Sequence, residues 1–474
     1  MNKRELARNF SVAFASQGIS MGLSLVTSLV LPKILGVTQF GYWQLFTFYM
    51  SYTVYAQLGV GEGIYLVYGG KKRSEVPLDE TSAQYLISLC VQGVCAGAIA
   101  VYAISIGGDS DRSFVFFCAA AMCVLQCSTN YLSMLFQAVN QPSVYSHSLV
   151  VNRLSFLAMI LPMLVMRLGD FKPYVTAFVL ANTVSLAFLG VKGRDFLFHR
   201  PCALRHAFSL FFGHAKIGLF LAMATSASTL SLGILRFFLD ITQSIDVFSV
   251  VSLSLSLVTF ILSFIAQVGM VLFPALRRAE QDEQAKAYGL MKEVLSVGMP
   301  ALYLLYFPIV FLIETWLPDY QASIEMFLYL IPICVFEGKM QMVFTTYFKV
   351  LREEKTLLWV NLLGVGISAL GSVVGLIFLG SVEVALVMLA VAYAVRSFVA
   401  ELYLNRLLDG QFTRADFEEF AATLFFLISV GVFGGWWTFL AVCAVWGLIL
   451  LDNKVFLIKM LSILKSVPRE GQIE

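Results

Sequence analysis

The sequence predicts an all-α polytopic membrane protein, on the evidence of its composition, its long apolar runs and the distribution of charge among its loops. Of its 474 residues, 59% are hydrophobic and only 13% are charged, and the mean hydropathy is +0.82. Soluble domains carry about 25% charged residues. A chain this long with so few charges cannot cover a water-facing surface, so we expect lipid to be its main solvent.

The number of long apolar runs predicts the number of membrane crossings. A helix needs about 20 mostly apolar residues to cross the hydrocarbon core, and roughly 14 runs meet that length. The last two are short and separated only by Gly434 and Gly435, so a smaller number of crossings stays open. The predicted spans are roughly 10–31, 40–66, 83–106, 114–139, 147–167, 173–193, 215–239, 246–275, 292–316, 324–349, 357–379, 382–406, 417–434 and 436–453.

Loop charge gives the orientation. Most lysines and arginines fall in alternate loops, and cytoplasmic loops carry such an excess. The other side receives only Lys33, Arg112, Arg167 and Lys172. We therefore expect both termini in the cytoplasm. The predicted cytoplasmic clusters are Lys3, Arg4 and Arg8; Lys71, Lys72 and Arg73; Lys192, Arg194, Arg200 and Arg205; Arg277, Arg278, Lys286 and Lys292; Lys349, Arg352 and Lys355; Arg406 and Arg414; and Lys454, Lys459, Lys465 and Arg469.

A short repeat indicates two related halves. The segment LGVTQ at Leu35–Gln39 follows the first predicted span, and LDITQ at Leu239–Gln243 follows the seventh. Six spans would separate the copies, as in a parallel repeat about an axis along the membrane normal. We therefore expect two six-helix lobes around a central cavity plus a carboxy-terminal helix pair. The predicted boundaries are 1–206 for the first lobe, 207–416 for the second, and 417–474 for the helix pair and a cytoplasmic tail.

Several functional classes lack their signatures. The sequence has eight cysteines and four histidines, but no CxxC pair and no metal-ligand spacing, so we predict no metal site and no cofactor. No basic stripe with interleaved aromatics points to nucleic acid. No Walker A loop is present, and the loops are too short for a catalytic module. The energy for any transport would then come from an ion gradient or the membrane potential, with a proton or sodium as the candidate coupling ion.

Polar residues recur at helical spacing within the predicted spans. Polar groups in hydrocarbon are costly and normally face the bundle interior or a water-filled cavity. The competing interpretation is close packing, because serine and threonine let transmembrane helices approach each other. The predicted cavity-lining residues are Gln17, Ser24, Tyr55, Gln57, Gln126, Asn130, Ser256, Thr259 and Tyr393.

Ionisable residues inside spans are fewer and more informative. Basic groups in a cleft would attract an anionic diphosphate, which an arginine side chain binds with two hydrogen bonds. The predicted cationic residues are Arg153, Arg236, Lys339, Arg396 and Lys216, and the predicted ion-coupling acids are Glu62 and Glu337. Each buried arginine could instead be half of an interhelical ion pair, and Arg153 and Lys216 could reach the membrane interface. Glu337 and Lys339 lie about 200° apart around a helix axis, so they cannot pair with each other.

Three segments carry a family resemblance. LPKILGVTQFGY at Leu31–Tyr42 resembles the segment joining the first two helices of bacterial polysaccharide flippases of the multidrug/oligosaccharidyl-lipid/polysaccharide (MOP) exporter superfamily. GEGIYLVYGG at Gly61–Gly70 is similar to the end of their second helix. FQAVN at Phe136–Asn140, followed by Tyr145, Ser146 and Arg153, is similar to their fourth-to-fifth helix region.

The resemblance implies a Wzx-type flippase of the bacterial inner membrane. Its substrate would be an undecaprenyl-diphosphate-linked oligosaccharide, a repeat unit of O-antigen, capsule or exopolysaccharide. Ion-coupled alternating access would move it from the cytoplasmic to the periplasmic leaflet. The expected partners are membrane lipids, a polysaccharide polymerase and a chain-length regulator. Arg153 is the cation that the local motif carries over.

Other functions stay open at this stage. An ion-coupled multidrug antiporter of the same superfamily is the nearest, although such proteins usually have twelve spans. A membrane-embedded polysaccharide polymerase or ligase would need a large periplasmic loop, which the sequence lacks. A purely structural assembly subunit would leave the charges within the spans unexplained.

Overall fold

The structure is a computed structural model that describes residue 18, residues 22–276 and residues 281–453; these described residues form helices and no β-strand. This confirms the all-α prediction. Side-chain caps mark several helix starts: an oxygen of Asp109 accepts hydrogen bonds from the backbone N–H groups of Asp111 and Arg112. Ser381 accepts one from the backbone N–H of Val384. These caps satisfy N–H groups that have no partner within their own helix.

The chain divides into two compact units. Unit 1 comprises the described residues of Met1–Ser226 together with Gln243–Ser252. It includes the short helix Arg194–Leu197 and the first part of α7. The helices up to α7 are α1 (Leu31–Thr53), α2 (Val60–Tyr68), α3 (Leu78–Ser105), α4 (Ser110–Ala138), α5 (Pro142–Val165), α6 (Phe171–Lys192) and α7 (Leu204–Thr242).

Unit 2 comprises Ala227–Thr242 and the described residues of Leu253–Glu474. It receives the end of α7 and most of α8. The lobe boundaries predicted from the sequence stay a prediction. The helices after α7 are α8 (Ile245–Leu276), α9 (Gln281–Gly298), α10 (Tyr306–Trp316), α11 (Ala322–Leu330), α12 (Pro332–Lys339), α13 (Thr345–Val350), α14 (Glu354–Ser372), α15 (Val382–Leu407), α16 (Arg414–Ile428) and α17 (Trp436–Asp452).

Within the described residues, 10 helices are long and apolar enough to cross a membrane. The chain is therefore a multi-pass membrane protein, as its composition predicts. These ten do not include α7, α16 or α17, and they count Gly22–Gln57 as one helix. The predicted number of spans and the orientation of the termini stay predictions.

The first two predicted spans, 10–31 and 40–66, differ from the helices that form. No loop separates them: the described chain is helical from Gly22 to Gln57, interrupted by a kink at Gly36, where φ is 70°. The real break comes later, at Leu58 and Gly59, where φ is 53° and 76°. Glycine adopts positive φ without a steric penalty, so a kink or break can form inside an apolar run that hydropathy reads as continuous.

The break brings α2 very close to α7. A Cβ atom added to Gly63 would collide with the backbone of His214, and one added to Gly218 would collide with the backbones of Gly59 and Gly63. Small residues at a crossing let two helices approach to backbone contact. Glycine at these three positions therefore positions α2, and with it Glu62, against α7.

We predict that Gly218→Ala destabilises unit 1 and that Gly213→Ala, on the same helix, does not. Overpacking costs about 1–3 kcal/mol, whereas alanine in an open helical position gains up to about 1 kcal/mol over glycine. Gly213 has no atom within 4 Å of an added Cβ, which makes it a matched control. Thermal unfolding of the purified protein in detergent measures both. Equal midpoints for the two variants would contradict the close crossing.

Candidate functional site

The main candidate site is a network of five buried charges in unit 2, here called the lysine–carboxylate network. Its members are Lys292 on α9, Lys339 on α12, Glu401 on α15, and Asp416 and Glu419 on α16. Their side chains are at most 3% exposed. The network thus joins four helices that are distant in sequence.

Lys339 lies at its centre. Its Nζ is 2.8 Å from Glu419 Oε2, 3.1 Å from Glu401 Oε2 and 3.2 Å from Asp416 Oδ1. It also donates a hydrogen bond of 2.7 Å to Ser296 Oγ. An ammonium with this many oxygen partners recovers much of the solvation that it loses on burial.

Lys292 contacts the second oxygen of two of these carboxylates. Its Nζ is 2.9 Å from Asp416 Oδ2 and 3.1 Å from Glu401 Oε1, and it donates to the carbonyl oxygen of Gln411 at 2.7 Å. Asp416 also closes the capping box that starts α16. The network therefore sets two lysines against three carboxylates, an excess of one negative charge when all five groups are ionised.

A second buried ion pair lies on the same helices. Arg396 on α15 contacts the Glu337 carboxylate on α12, and the Arg396 guanidinium lies 4.7 Å from the centroid of the Tyr393 ring. Gln341 donates to Glu337 Oε1 at 2.9 Å. Gly364 gives the arginine stem room, because a Cβ there would lie 3.1 Å from Arg396 Cδ.

These contacts bear on two of the residues predicted to bind the substrate. Arg396 and Lys339 were predicted to face a cationic cavity, but both are about 2% exposed or less and are bound by carboxylates of their own unit. They occupy the alternative environment, that of interhelical ion pairs. Glu337 and Lys339 choose different partners, as their separation around the helix axis predicts.

In unit 1 the structure brings together three predicted cavity-lining residues. Asn130 Nδ2 donates to Gln57 Oε1 at 2.8 Å, and Thr53 donates to Gln126 Oε1 at 3.0 Å. Gln57 is buried and ends the 3₁₀ turn that precedes the break before α2. This neutral polar cluster joins the end of α1 to α4.

The other predicted residues are more scattered. In unit 1, Arg153 and Glu62 are half-buried, Lys216, Tyr55 and Ser24 are exposed, and Gln17 lies outside the described residues. Arg153, Lys216 and Glu62 form no ion pair within the part of the chain that the structure describes. In unit 2, Arg236 and Ser256 are half-buried, and the exposed Thr259 donates to the carbonyl of Leu255.

Sequence reasoning missed Lys292, Ser296, Asp416 and Glu419. Lys292 was counted as a loop charge, and both acids stand at the edge of a predicted span. One signal was available: Asp416 and Glu419, like Lys292 and Ser296, are spaced to lie on one helix face. Among the described residues no group of acids, histidines or cysteines is arranged to hold a metal ion.

The fold is similar to that of two solved membrane transporters. One is the lipid II flippase MurJ in an inward closed conformation, which is 11% identical to this chain with a TM-score of 0.65. The alignment covers 96% of this chain and 99% of the MurJ chain. A multidrug resistance MATE family transporter of the MOP superfamily, inward-facing, is 14% identical over 84% of this chain and 98% of its own, with a TM-score of 0.59. The chain shares the fold of these two proteins.

The sequence also matches a protein-family model. The model described as "Polysaccharide biosynthesis protein" matches residues 6–280, more than half of the sequence. The chain belongs to this polysaccharide biosynthesis protein family, which confirms the resemblance to polysaccharide flippases. No curated protein matches its sequence significantly.

We predict that breaking the Arg396–Glu337 pair on one side costs more stability than removing both charges. Arg396→Met alone leaves a buried carboxylate without its partner, a loss of about 3–5 kcal/mol, whereas an apolar replacement of both partners is often nearly neutral. The midpoint of thermal unfolding in detergent should therefore recover in Arg396→Met with Glu337→Met.

The control is Arg414→Met, since Arg414 is 77% exposed and pairs with Glu418 and Asp452 at the surface. Exposed pairs contribute about 0–1 kcal/mol. If Arg396→Met were as mild as Arg414→Met, the buried pair would not be holding α12 and α15 together.

Proposed function

We propose that the protein flips an undecaprenyl-diphosphate-linked oligosaccharide from the cytoplasmic to the periplasmic leaflet of the bacterial inner membrane, with both termini in the cytoplasm. The observation that carries this proposal is the match of residues 6–280 to a family described by polysaccharide biosynthesis. A fold shared with a lipid II flippase supports it further. O-antigen, capsule and exopolysaccharide units are the candidate glycans, and a polymerase and a chain-length regulator are the expected partners.

The diphosphate needs cationic partners that protein carboxylates have not already taken. Lys339 and Arg396 are bound within unit 2. Arg153 and Lys216 form no ion pair among the described residues of unit 1. We therefore assign head-group binding first to Arg153 and Lys216 and keep Arg236 as a candidate. Each charge-assisted hydrogen bond would contribute about 1.5–3 kcal/mol.

Coupling to an ion gradient is the second part of the proposal. Glu337 already has a cationic partner, and Glu62 stays a candidate. The lysine–carboxylate network is better placed, because its excess negative charge is costly to bury and a bound proton would remove it. Glu419 is the favoured carrier: its Oε2 contacts Lys339, while its buried Oε1 has no hydrogen-bond partner. An alternating-access cycle would then include release and recapture of this proton.

We predict that the reconstituted protein moves lipid-linked oligosaccharide across vesicle membranes and that Arg153→Ala slows this by about tenfold to a hundredfold, the loss of one charge-assisted contact. Arrival of the sugar at the outer leaflet is measured with an impermeant sugar-modifying reagent. Arg406→Ala, an exposed cation without an ion pair in the described region, is the control.

Transport of organic cations without lipid-linked sugar would reject the flippase and favour the multidrug antiporter. Elongation of the glycan by the purified chain would instead favour a polymerase.

We predict that Glu419→Gln abolishes the acceleration of transport by a pH gradient while leaving the protein folded, because glutamine resembles the protonated acid. The measurement is the transport rate with and without an imposed gradient. Glu418→Gln is the matched control, since this neighbour pairs with Arg414 outside the network. A Glu419→Gln variant that still responds to the gradient would reject the network as the coupling site and leave the substrate proposal untouched.

A further inference from the structure

An apolar groove in unit 1 is separate from the residues discussed so far. It lies between the first half of α3 and the start of α7 and has a volume of about 790 Å³. Its walls include Ala83, Ile87, Val91 and Val94 on one side and Cys202 and Phe208 on the other. Ligand pockets in proteins commonly measure about 300–1,000 Å³. The size therefore suits a lipid chain.

The groove is built into the fold by specific contacts. Ser82 on α3 donates to the carbonyl oxygens of Leu197 and His199, at 2.9 and 3.0 Å. The backbone N–H of Cys202 donates to the carbonyl oxygen of Asp79 at 3.2 Å. These bonds fix the loop before α7 against the start of α3, so the groove is part of the fold.

The neighbouring ion pair between Arg73 and Asp195 strengthens this loop. Arg73 Nε donates to Asp195 Oδ2 at 3.0 Å. Burial raises the pKa of the Asp195 carboxyl, but the hydrogen bonds and charge of Arg73, with backbone N–H groups, bring this pKa below its usual value. Arg73 is thereby committed to the protein and unavailable to a ligand.

The depth of the groove matches one membrane leaflet. From Ala83 to Cys95, α3 rises about 18 Å at 1.5 Å per residue, and half of the hydrocarbon core is about 15 Å. Val94 is 74% exposed and Leu204 is 71% exposed, so the groove opens sideways toward lipid. A chain lying in it would enter from the bilayer.

Charged residues adjoin one end of the groove. Arg200 and Arg205 adjoin the lining residues Pro201 and Leu204, are exposed, and their side chains form no ion pair or hydrogen bond within the described residues. Two carboxylates lie at the same end: Asp79, and Glu80, which contacts His206 at 3.4 Å and accepts from the Tyr68 hydroxyl at 3.3 Å. Glu80 is therefore bound by side chains of the protein, whereas the two guanidinium groups have no side-chain partner among the described residues.

We propose that this groove is a binding site for an anionic diacyl phospholipid. One acyl chain lies between α3 and α7, and the phosphate binds Arg200 and Arg205. Arginine binds phosphate oxygens with two parallel hydrogen bonds. An anionic head group is favoured over a zwitterionic one because the zwitterionic head group adds an ammonium that the two guanidinium groups repel. The site is independent of the proposed transport substrate, since it depends on neither Arg153 nor the network in unit 2.

The test uses photoactivatable phosphatidylglycerol and phosphatidylcholine with the full-length protein in vesicles. Phosphatidylglycerol should cross-link to residues 83–95 and 201–208 about tenfold more than phosphatidylcholine, because the choline ammonium of phosphatidylcholine offsets the attraction between its phosphate and the two guanidinium groups. Arg200→Gln with Arg205→Gln should remove this preference. Lys355→Gln with Arg406→Gln, two exposed cations of unit 2 without ion pairs in the described region, should keep it.

A second variant separates loss of the site from loss of the fold. Val94→Trp fills the open side of the groove at a lipid-facing position and should reduce cross-linking within 83–95 while both arginines remain. Equal cross-linking of the two phospholipids to the unmodified protein would overturn the proposal. Displacement of phosphatidylglycerol by undecaprenyl diphosphate, but not by excess phosphatidylglycerol lacking the photoactivatable group, would overturn it too and assign the groove to the transport substrate.

Discussion

Hydrocarbon offers no hydrogen-bond partner, so every charge placed inside the bundle must find its partners in the protein. Lys339 meets that requirement with carboxylates from two other helices and a serine from a third. Because a bound ammonium fixes the distance to each oxygen, this one side chain sets where α9, α15 and α16 lie around α12. The arrangement of unit 2 depends on it.

Neutral polar groups extend the same rule. The buried hydroxyl of Tyr288 donates to Asn405, and that of Tyr303 is paired with Thr423 at 2.7 Å. Among the described residues of unit 1 no aspartate, glutamate, lysine or arginine is buried, and neutral groups form the buried polar contacts, as in the bond between Asn130 and Gln57. Removing one partner of a buried ion pair lowers the stability of the protein more than removing one partner of a neutral hydrogen bond. The two units therefore differ in how strongly their internal polar contacts constrain them.

Hydropathy predicted most helices because length and apolar character are local properties of the chain. It was also predictable that Glu337 and Lys339 lie on different faces of their helix, because the helix geometry alone separates them. The partners were not: Asp416 lies 77 residues from Lys339, and only the packing of α16 brings them together. The break at Gly59 was missed because neither a proline nor a polar run marks it; it lies against the backbone of Gly218 and Leu219 on α7, which are far from it in sequence.

Four π-helical turns interrupt the described helices, at Val26–Val30, Met340–Phe344, Val373–Phe378 and Ser429–Phe433. Such a turn contains one residue more than a regular α-turn. The number of residues in each π-helical turn, and not only the chemistry of the side chains, therefore decides on which helix face the following residues lie. Loss of a single residue from Met340–Phe344 would rotate everything beyond it by about 100°. Insertions and deletions at these points are thus a route by which related chains could acquire different internal surfaces on the same scaffold.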